Sequence, residues 1–258
     1  MMEWFDSHCH VDEEAFDEDR EEALARMAEH GITRYAVIGS DMETSRRAIR
    51  FAREHAGAIA VSGIHPHEAK GFREEDVPEI ADWYRKGKIR AIGEIGLDYY
   101  YDHSPRDVQR EVCIRQMELA WELGCAAAYH VRDAHGDMLE IMKSMRKRLT
   151  PGIIHCFSGS AEIAKEYLKL GYCISFAGPV TFKKAPKLRE AALLVPKDRL
   201  LIETDSPYMA PEPMRGRRNE PTYVQFVAEK LAEIRGETAE ELAAYTYANA
   251  MRIYGIRA

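Results

Sequence analysis

Residues 5–10 read FDSHCH, which places an aspartate and two histidines on every second residue. Asp6, His8 and His10 occupy positions i, i+2 and i+4, and in an extended strand this spacing puts all three side chains on one face. A carboxylate and two imidazoles on one face are groups that bind a divalent metal ion. The alternative is an edge strand with solvated histidines, and the hexapeptide alone does not distinguish the two.

Further ionisable residues follow other short apolar runs. They are His65 and His67 in GIHPH, Glu94 and Asp98 in GEIGLDYY, and then His130, His155, Glu203 and Asp205. Taken alone, His130 is more simply interpreted as a packed core histidine. Taken together, four imidazoles and two carboxylates suit a site for two divalent ions about 3.5–4 Å apart that share one carboxylate such as Glu94. The imidazoles are His8, His10, His130 and His155, and the carboxylates are Glu94 and Asp205.

The elements that must position these residues alternate along the chain. Eight short apolar runs are separated by amphipathic patterns, and two helical patterns follow the eighth run. Eight such units in about 250 residues match a (β/α)8 TIM barrel of the α/β class, here with an extra C-terminal helix. A doubly wound open sheet is the alternative, although no GxGxxG follows the first run. We expect a single domain over residues 1–258, with its chemistry at the carboxyl ends of the strands.

Composition limits the classes of function. A net charge of −7 disfavours broad binding of nucleic acid by a basic surface, although metal ions can supply positive charge locally. Five widely spaced cysteines without a CxxC pair favour reduced thiols. No apolar stretch approaches the roughly 20 residues of a membrane span. The N-terminus lacks the pattern of a signal peptide, so we expect a cytoplasmic protein.

Seven motifs, in order along nearly the whole chain, resemble those of the TatD family of metal-dependent deoxyribonucleases, within the amidohydrolase-like barrels. They are DSHCH at 6–10, GIHPH at 63–67, GEIGLDYY at 93–100, HVRDA at 130–134, HCFSG at 155–159, ETDSPY at 203–208 and RGRRNEP at 215–221. The resemblance implies a (β/α)8 barrel, dependence on divalent metal ions and hydrolysis of phosphodiesters. The segment CAAAYHVRDA departs from the family, which more often has a proline and a bulkier aliphatic residue there.

The resemblance also implies roles for single residues. The first metal ion would take His8, His10, Glu94 and Asp205, and the second would take Glu94, His130 and His155. His65 would face the scissile phosphate. Arg132, Arg217 and Asn219 would line the nucleic-acid path or fix the loops that do.

We therefore expect a hydrolase of phosphodiester bonds, most simply a deoxyribonuclease with 3'-5' exonuclease action on short or single-stranded DNA ends. Two divalent ions (Mg, Mn, Zn or Co) would assist, with Asp205 as general base and His65 stabilising developing negative charge. Basic loops at 183–187 and 215–218 would contact neighbouring phosphates. One alternative is hydrolysis of a small cyclic amide, lactone or phosphotriester, and another is a non-enzymatic metal-binding barrel. We expect no membrane association and no obligate protein partner.

Overall fold

The computed structural model describes residues 2–257 of the chain. Within these residues, eight β-strands alternate with α-helices, and a ninth helix follows the last unit. The strands are β1 (Trp4–Cys9), β2 (Ile32–Ile38), β3 (Ala58–Val61), β4 (Ala91–Asp98), β5 (Ala126–Arg132), β6 (Gly152–Ile154), β7 (Cys173–Phe176) and β8 (Leu200–Ile202). The helices are α1 (Arg20–Glu29), α2 (Met42–Glu54), α3 (Val77–Arg85), α4 (Arg106–Leu123), α5 (His135–Ser144), α6 (Ala161–Lys169), α7 (Pro186–Leu194), α8 (Val224–Arg235) and α9 (Ala239–Ile253).

The strands form two parallel arcs that meet at both ends. One arc has the order β1-β2-β3 and the other the order β4-β5-β6-β7-β8. A parallel bridge between Ser62 and Ile92 connects the first arc to the second. On the opposite side, the loop after β8 meets β1, where the amide of Asp205 donates to the carbonyl of His8 over 2.9 Å. The predicted (β/α)8 barrel with an extra C-terminal helix is therefore confirmed.

Mostly aliphatic side chains fill the barrel interior. One cluster of buried residues takes members from all eight strands: Phe5, Ala36, Ile38, Ile59, Val61, Ala91, Ala126, Ala128, Ile153, Cys173 and Leu201. Side chains from eight strands can meet only inside the barrel, which is a packed core in this fold. Ala250 and Tyr254 join the cluster, and the Tyr254 hydroxyl donates to the carbonyl of Ser7 over 2.8 Å. Helix α9 therefore covers the amino-terminal end of the barrel and leaves the other end open.

Local sequence explains where several helices begin and end. Asp41 and Thr44 form a capping box at the start of α2, in which the Asp41 carboxylate accepts from the amide of Thr44 and the Thr44 hydroxyl accepts from the amide of Asp41. Helix α4 ends at Gly124, whose φ of +63° lies in the left-handed region that glycine adopts readily. None of the helices within residues 2–257 combines the length and the apolarity that crossing a bilayer requires.

Gly96 allows β4 and β5 to approach each other at the height of the candidate site. Its φ is +142°, and a Cβ at this position would lie 2.0 Å from the carbonyl oxygen of His130. Any larger residue would push apart the two strands that carry Glu94 and His130, because backbone atoms cannot yield as a flexible side chain can. The glycine in GEIGLD is therefore required by the geometry of the site.

Candidate metal centre

The candidate ligands lie towards the carboxyl end of the barrel, within strands or just after them. His8 is in β1, Glu94 in β4 and His130 in β5, whereas His10, His155 and Asp205 follow the ends of β1, β6 and β8. His8, His10, Glu94 and His155 are buried, and His130 and Asp205 are partly buried. Residues separated by up to about two hundred positions are thus brought to one end of the barrel, as the fold predicts.

Glu94 is at the centre of this cluster. Its Oε1 lies 2.6 Å from Nε2 of His155, 2.9 Å from Nδ1 of His130 and 3.6 Å from Nε2 of His65. Its Oε2 lies 3.3 Å from Nε2 of His8. Burial would raise the pKa of the Glu94 carboxyl, but the surrounding imidazoles outweigh burial and hold this pKa well below its usual range. Four imidazoles therefore converge on one ionised carboxylate.

Asp205 is the second carboxylate of the cluster. Its Oδ1 lies 3.8 Å from Nε2 of His8 and 3.7 Å from Nε2 of His10. Its backbone adopts φ +57°, in the left-handed region that aspartate tolerates better than most residues. Burial opposes the charged form of His10, but the hydrogen bond and the charge of Asp205 raise the pKa of His10 to about 9.

Three of the histidines have one ring nitrogen bound by a second protein group. Nδ1 of His10 lies 3.0 Å from the carbonyl oxygen of Ile38, Nε2 of His130 lies 2.9 Å from Asp98 Oδ2, and Nδ1 of His155 lies 3.2 Å from Glu203 Oε1. Carbonyl and carboxylate oxygens only accept, so each of these ring nitrogens donates its proton outward. The other nitrogen of each ring faces Glu94 or Asp205. Histidines that bind metal ions are oriented in this way.

His8 differs from the other histidines. Both of its ring nitrogens are buried and without a hydrogen-bond partner among residues 2–257, and its ring stacks on His155 with centroids 3.9 Å apart. Leaving a buried polar group unpaired costs about 1–3 kcal/mol. A cation beside His8 would give its Nε2, which faces Glu94 and Asp205, a partner.

The donor atoms are close enough together to surround divalent ions. Three sets of donors have their ligand atoms within 4.8 Å of one another: His8, His10 and Glu94; His8, His155 and Asp205; and His65, Glu94 and His130. Imidazole nitrogens and carboxylate oxygens are the ligands of Zn, Mn and related ions. The residues therefore fit the divalent ions that the sequence predicted.

His65 enters the cluster with a defined proton position. Its Nδ1 accepts from the amide of His67 over 3.1 Å, so the proton of the neutral ring is on Nε2, which points towards Glu94. Burial lowers the pKa of His65 well below its usual range, so the ring is neutral near pH 7. A ring whose Nε2 carries the proton is a hydrogen-bond donor there and not a metal ligand.

Asp98 and Glu203 were noted at strand ends in the sequence, but their contacts were not predicted. Asp98 is fully buried and lies within 3.0 Å of Nε2 of His67 as well as contacting His130. Glu203 accepts from the amide of Cys156 over 2.6 Å besides contacting His155. In the sequence, the only indication that they support the site is their spacing, with Asp98 four residues after Glu94 and Glu203 two residues before Asp205. Only the folded barrel shows which histidine each carboxylate reaches.

The expectation that Asp6 shares a face with His8 and His10 is wrong. The pairing of β1 with β2 shifts register between Asp6 and Cys9, which breaks the strict alternation of faces. Asp6 is fully buried and accepts from the amide and the hydroxyl of Thr204. Its carboxylate therefore joins β1 to the loop that carries Asp205.

The three residues expected along the nucleic-acid path lie in different environments. Arg132 ends β5 at the mouth of the barrel, and Arg217 is exposed on the loop after β8. Asn219 is fully buried, and its amide nitrogen donates to the carbonyls of Thr204 and Tyr208. Of its two expected roles, Asn219 therefore fixes the loop, and its burial excludes contact with substrate.

The basic loops also divide into two groups. Arg218 forms two short contacts with the carboxylate of Asp19 and covers the ring of Phe16, so it anchors its own loop. Lys183 and Lys184 are near Arg215 on an open groove, with the Arg215 guanidinium 4.2 Å from the ring centroid of Phe182. The second group and the exposed Arg217 therefore offer cations to an outside ligand.

Comparison with known proteins identifies relatives along nearly the whole chain. A family model described as TatD related DNase matches residues 5–255. The chain is 44% identical over 252 residues to an uncharacterized metal-dependent hydrolase, YabD, of Bacillus subtilis, covering 98% of this chain and 99% of that protein. It is 32% identical over 255 residues to the 3'-5' ssDNA/RNA exonuclease TatD of Cronobacter sakazakii, covering 97% of each.

A solved structure supports the same relationship. The crystal structure of YJJV, a TatD homolog from Escherichia coli K12, superposes with a TM-score of 0.91 at 28% sequence identity and covers 98% of both chains. The barrel and the order of its elements are thus common to both proteins.

Proposed function

The chain belongs to the family of TatD-related DNases and is a metal-dependent hydrolase, and we propose that it cleaves phosphodiester bonds of DNA, from strand ends in the 3'-5' direction. The relative named a 3'-5' ssDNA/RNA exonuclease supports this direction and substrate. The observation that carries the proposal is the Glu94-centred cluster, where four imidazoles meet one ionised carboxylate at the mouth of the barrel.

We assign the donors to two divalent ions that share Glu94. The first would be held by His8, His10, Glu94 and Asp205, and the second by Glu94, His130 and His155. When bound, such ions stabilise charge on phosphoryl oxygens and lower the pKa of water. His65 is left out of both sets because its Nε2 carries a proton.

Asp205 is the residue that we assign as general base. Burial would raise the pKa of its carboxyl, but the contacts with His10 and the charges of neighbouring imidazoles lower it, so the group is ionised near pH 7. His8 and His10 both face Oδ1 of Asp205, which leaves Oδ2 to accept the proton of the attacking water.

His65 would donate from Nε2 to a phosphoryl oxygen as negative charge develops. The ring is neutral and buried, and its orientation is fixed by the amide of His67, so no reorganisation is needed when charge appears. A neutral donor would also avoid repulsion with divalent ions held by the neighbouring ligands.

Digestion of linear single-stranded DNA beside a circular single strand of the same sequence tests the proposal. With Mn²⁺ or Mg²⁺ supplied, we expect products from the 3' end of the linear strand and none from the circle. A panel containing a lactone, a cyclic amide and a phosphotriester covers the alternative substrates. Rapid cleavage of the circle would contradict action at ends, and turnover of the panel without cleavage of DNA would contradict the phosphodiesterase.

A further inference from the structure

Large apolar side chains are unusually exposed around the mouth of the barrel. Among the described residues six such side chains are exposed, and four of them follow β4 or β8, next to the metal centre: Tyr100, Tyr101, Tyr208 and Met209. Tyr100 is 58% exposed and Tyr101 is 49% exposed. Exposed aromatic rings that adjoin a reactive site commonly contact a ligand.

Tyr100 and Tyr101 surround an arginine that has no acidic partner. The guanidinium carbon of Arg132 lies 4.2 Å from the ring centroid of Tyr100 and 5.0 Å from that of Tyr101. The two rings are perpendicular, with centroids 4.8 Å apart. No carboxylate in the described part of the chain forms an ion pair with Arg132, so its charge is available to a phosphate. We call these three residues the tyrosine–arginine platform.

One buried carboxylate positions both the platform and the metal centre. Asp98 Oδ1 accepts from the amides of Tyr100 and Tyr101, each over 2.9 Å. Asp98 Oδ2 accepts from Nε2 of His130, whose Nδ1 is 2.9 Å from Glu94. Only one carboxylate and one imidazole thus separate the platform from Glu94. A group resting on the platform would adjoin the bond to be cleaved.

We propose that the tyrosine–arginine platform binds an unpaired nucleobase next to the scissile phosphate, with Arg132 holding the neighbouring phosphate. The inference rests on the proposed function and adds a subsite to it. Aromatic faces stack on every base, and guanidinium groups bind phosphate, so this pairing of residue types fits a single strand. A base already paired in a duplex has its faces covered by its neighbours. The platform therefore favours frayed or single-stranded ends.

Binding of short strands without turnover tests the subsite. The probes are phosphorothioate trinucleotides that resist cleavage, one with all three bases and one with an abasic terminal position, titrated against the full-length protein in the presence of a chelator. Stacking of one base is worth roughly tenfold in affinity or more. We expect the parent to bind the base-bearing strand about tenfold more tightly than the abasic one.

Substitutions on the platform should remove this difference. Tyr100→Ala and Tyr101→Ala should bind both probes with similar affinity, whereas Tyr100→Phe and Tyr101→Phe should keep the preference because the ring remains. Trp121→Ala is the matched control, since Trp121 is also an exposed aromatic residue (47%) but lies on α4 outside the mouth. A parent without preference for the base would overturn the proposal, and so would alanine variants that keep the preference or phenylalanine variants that lose it.

Hydrolysis by the metal-loaded protein separates failure of the subsite from failure of the proposed function. If the parent cleaves linear DNA and the alanine variants discriminate base-bearing from abasic ends as the parent does, the platform is wrong and the nuclease stands. If the parent binds the base-bearing probe more tightly but cleaves no DNA, the nuclease is wrong and the base-binding surface stands.

Discussion

The histidines around Glu94 and those around Asp205 differ in how the protein supports them. Beside Glu94, the ring nitrogen that faces away from it is bound by Asp98 in His130, by Glu203 in His155 and by the amide of His67 in His65. Beside Asp205, only His10 has such a partner, which is a backbone carbonyl. We call the first group the Glu94 half (Glu94, His65, His130 and His155) and the second the Asp205 half (Asp205, His8 and His10). The first is held by two carboxylates, one at the end of β4 and one just after β8, and by a backbone amide, whereas the second depends on a loop residue with positive φ.

This difference predicts how the two halves respond to metal ions. Carboxylates behind a histidine orient the ring and increase its basicity as a ligand, which strengthens metal binding. The Glu94 half is therefore built before any ion binds. In the Asp205 half, neither ring nitrogen of His8 has a hydrogen bond among the described residues, so no protein group behind the ring supports it as a ligand. We expect the Glu94 half to bind its ion more tightly.

The largest effect is expected from Glu94→Gln, because this carboxylate would bind the ions of both halves. Replacing its charge should reduce phosphodiesterase activity by more than about a hundredfold, beyond what losing a supporting partner costs. Isothermal titration with Mn²⁺ should show weakened binding of both ions. Glu111→Gln, an exposed charge on α4, is the control. Parent-like activity in Glu94→Gln would contradict a shared role for this carboxylate.

The second largest effect is expected from Asp205→Asn, which alters one half alone. We expect activity to fall about a hundredfold, because the general base and one ligand are both lost. Titration should then show one tight ion remaining, with an affinity close to that of the tighter site of the parent. Loss of both ions would mean that the halves are not separable.

A smaller loss is expected from Asp98→Asn. His130 would keep a hydrogen-bond partner of lower charge, and removal of such a partner typically costs about 10–100-fold in metal affinity or activity. The weakened ion should be that of the Glu94 half. Asp102→Asn is the control. It changes an exposed carboxylate on the loop that follows Asp98, and because this carboxylate pairs with Arg106, its loss should leave metal affinity unaltered. Equal effects of the two substitutions would contradict the role given to Asp98.

The smallest effect on activity is expected from Asn219→Ala, which acts on the loop that carries Asp205. The substitution leaves the buried carbonyl of Thr204 and the partly buried carbonyl of Tyr208 without their donor and should lower the free energy of unfolding by about 1–3 kcal/mol. Asn249→Ala is a matched control, because Asn249 also bridges two carbonyls but at the amino-terminal end of β8. Both should reduce Tm, but only Asn219→Ala should weaken the ion of the Asp205 half. Equal metal affinities in the two variants would contradict this assignment.

Much of the fold was predictable because its signals are local. Each of the eight strands is a short apolar run, and helix ends such as Gly124 carry their own residue signature. The parallel order then follows from the alternation of strands and helices. The convergence of His8, Glu94 and His130 at one end of the barrel is a consequence of this order.

What could not be predicted depends on contacts between distant residues or on local irregularity. The register shift in β1 breaks the alternation that would place the Asp6 carboxylate beside the rings of His8 and His10, and no periodic pattern reveals a bulge. The burial of Asn219 and the pairing of Arg218 with Asp19 depend on how a long loop folds back on α1. The proton on Nε2 of His65 follows from one amide contact that only the folded chain shows.

The central claim is that two ions share Glu94, and anomalous X-ray scattering from crystals soaked in Mn²⁺ tests it most directly. We predict two peaks about 3.5–4 Å apart on either side of the Glu94 carboxylate. The peak beside His130 and His155 should be fully occupied at lower Mn²⁺ concentration than the peak beside His8, His10 and Asp205. Peaks that do not contact Glu94, or a single peak at saturating Mn²⁺, would contradict it.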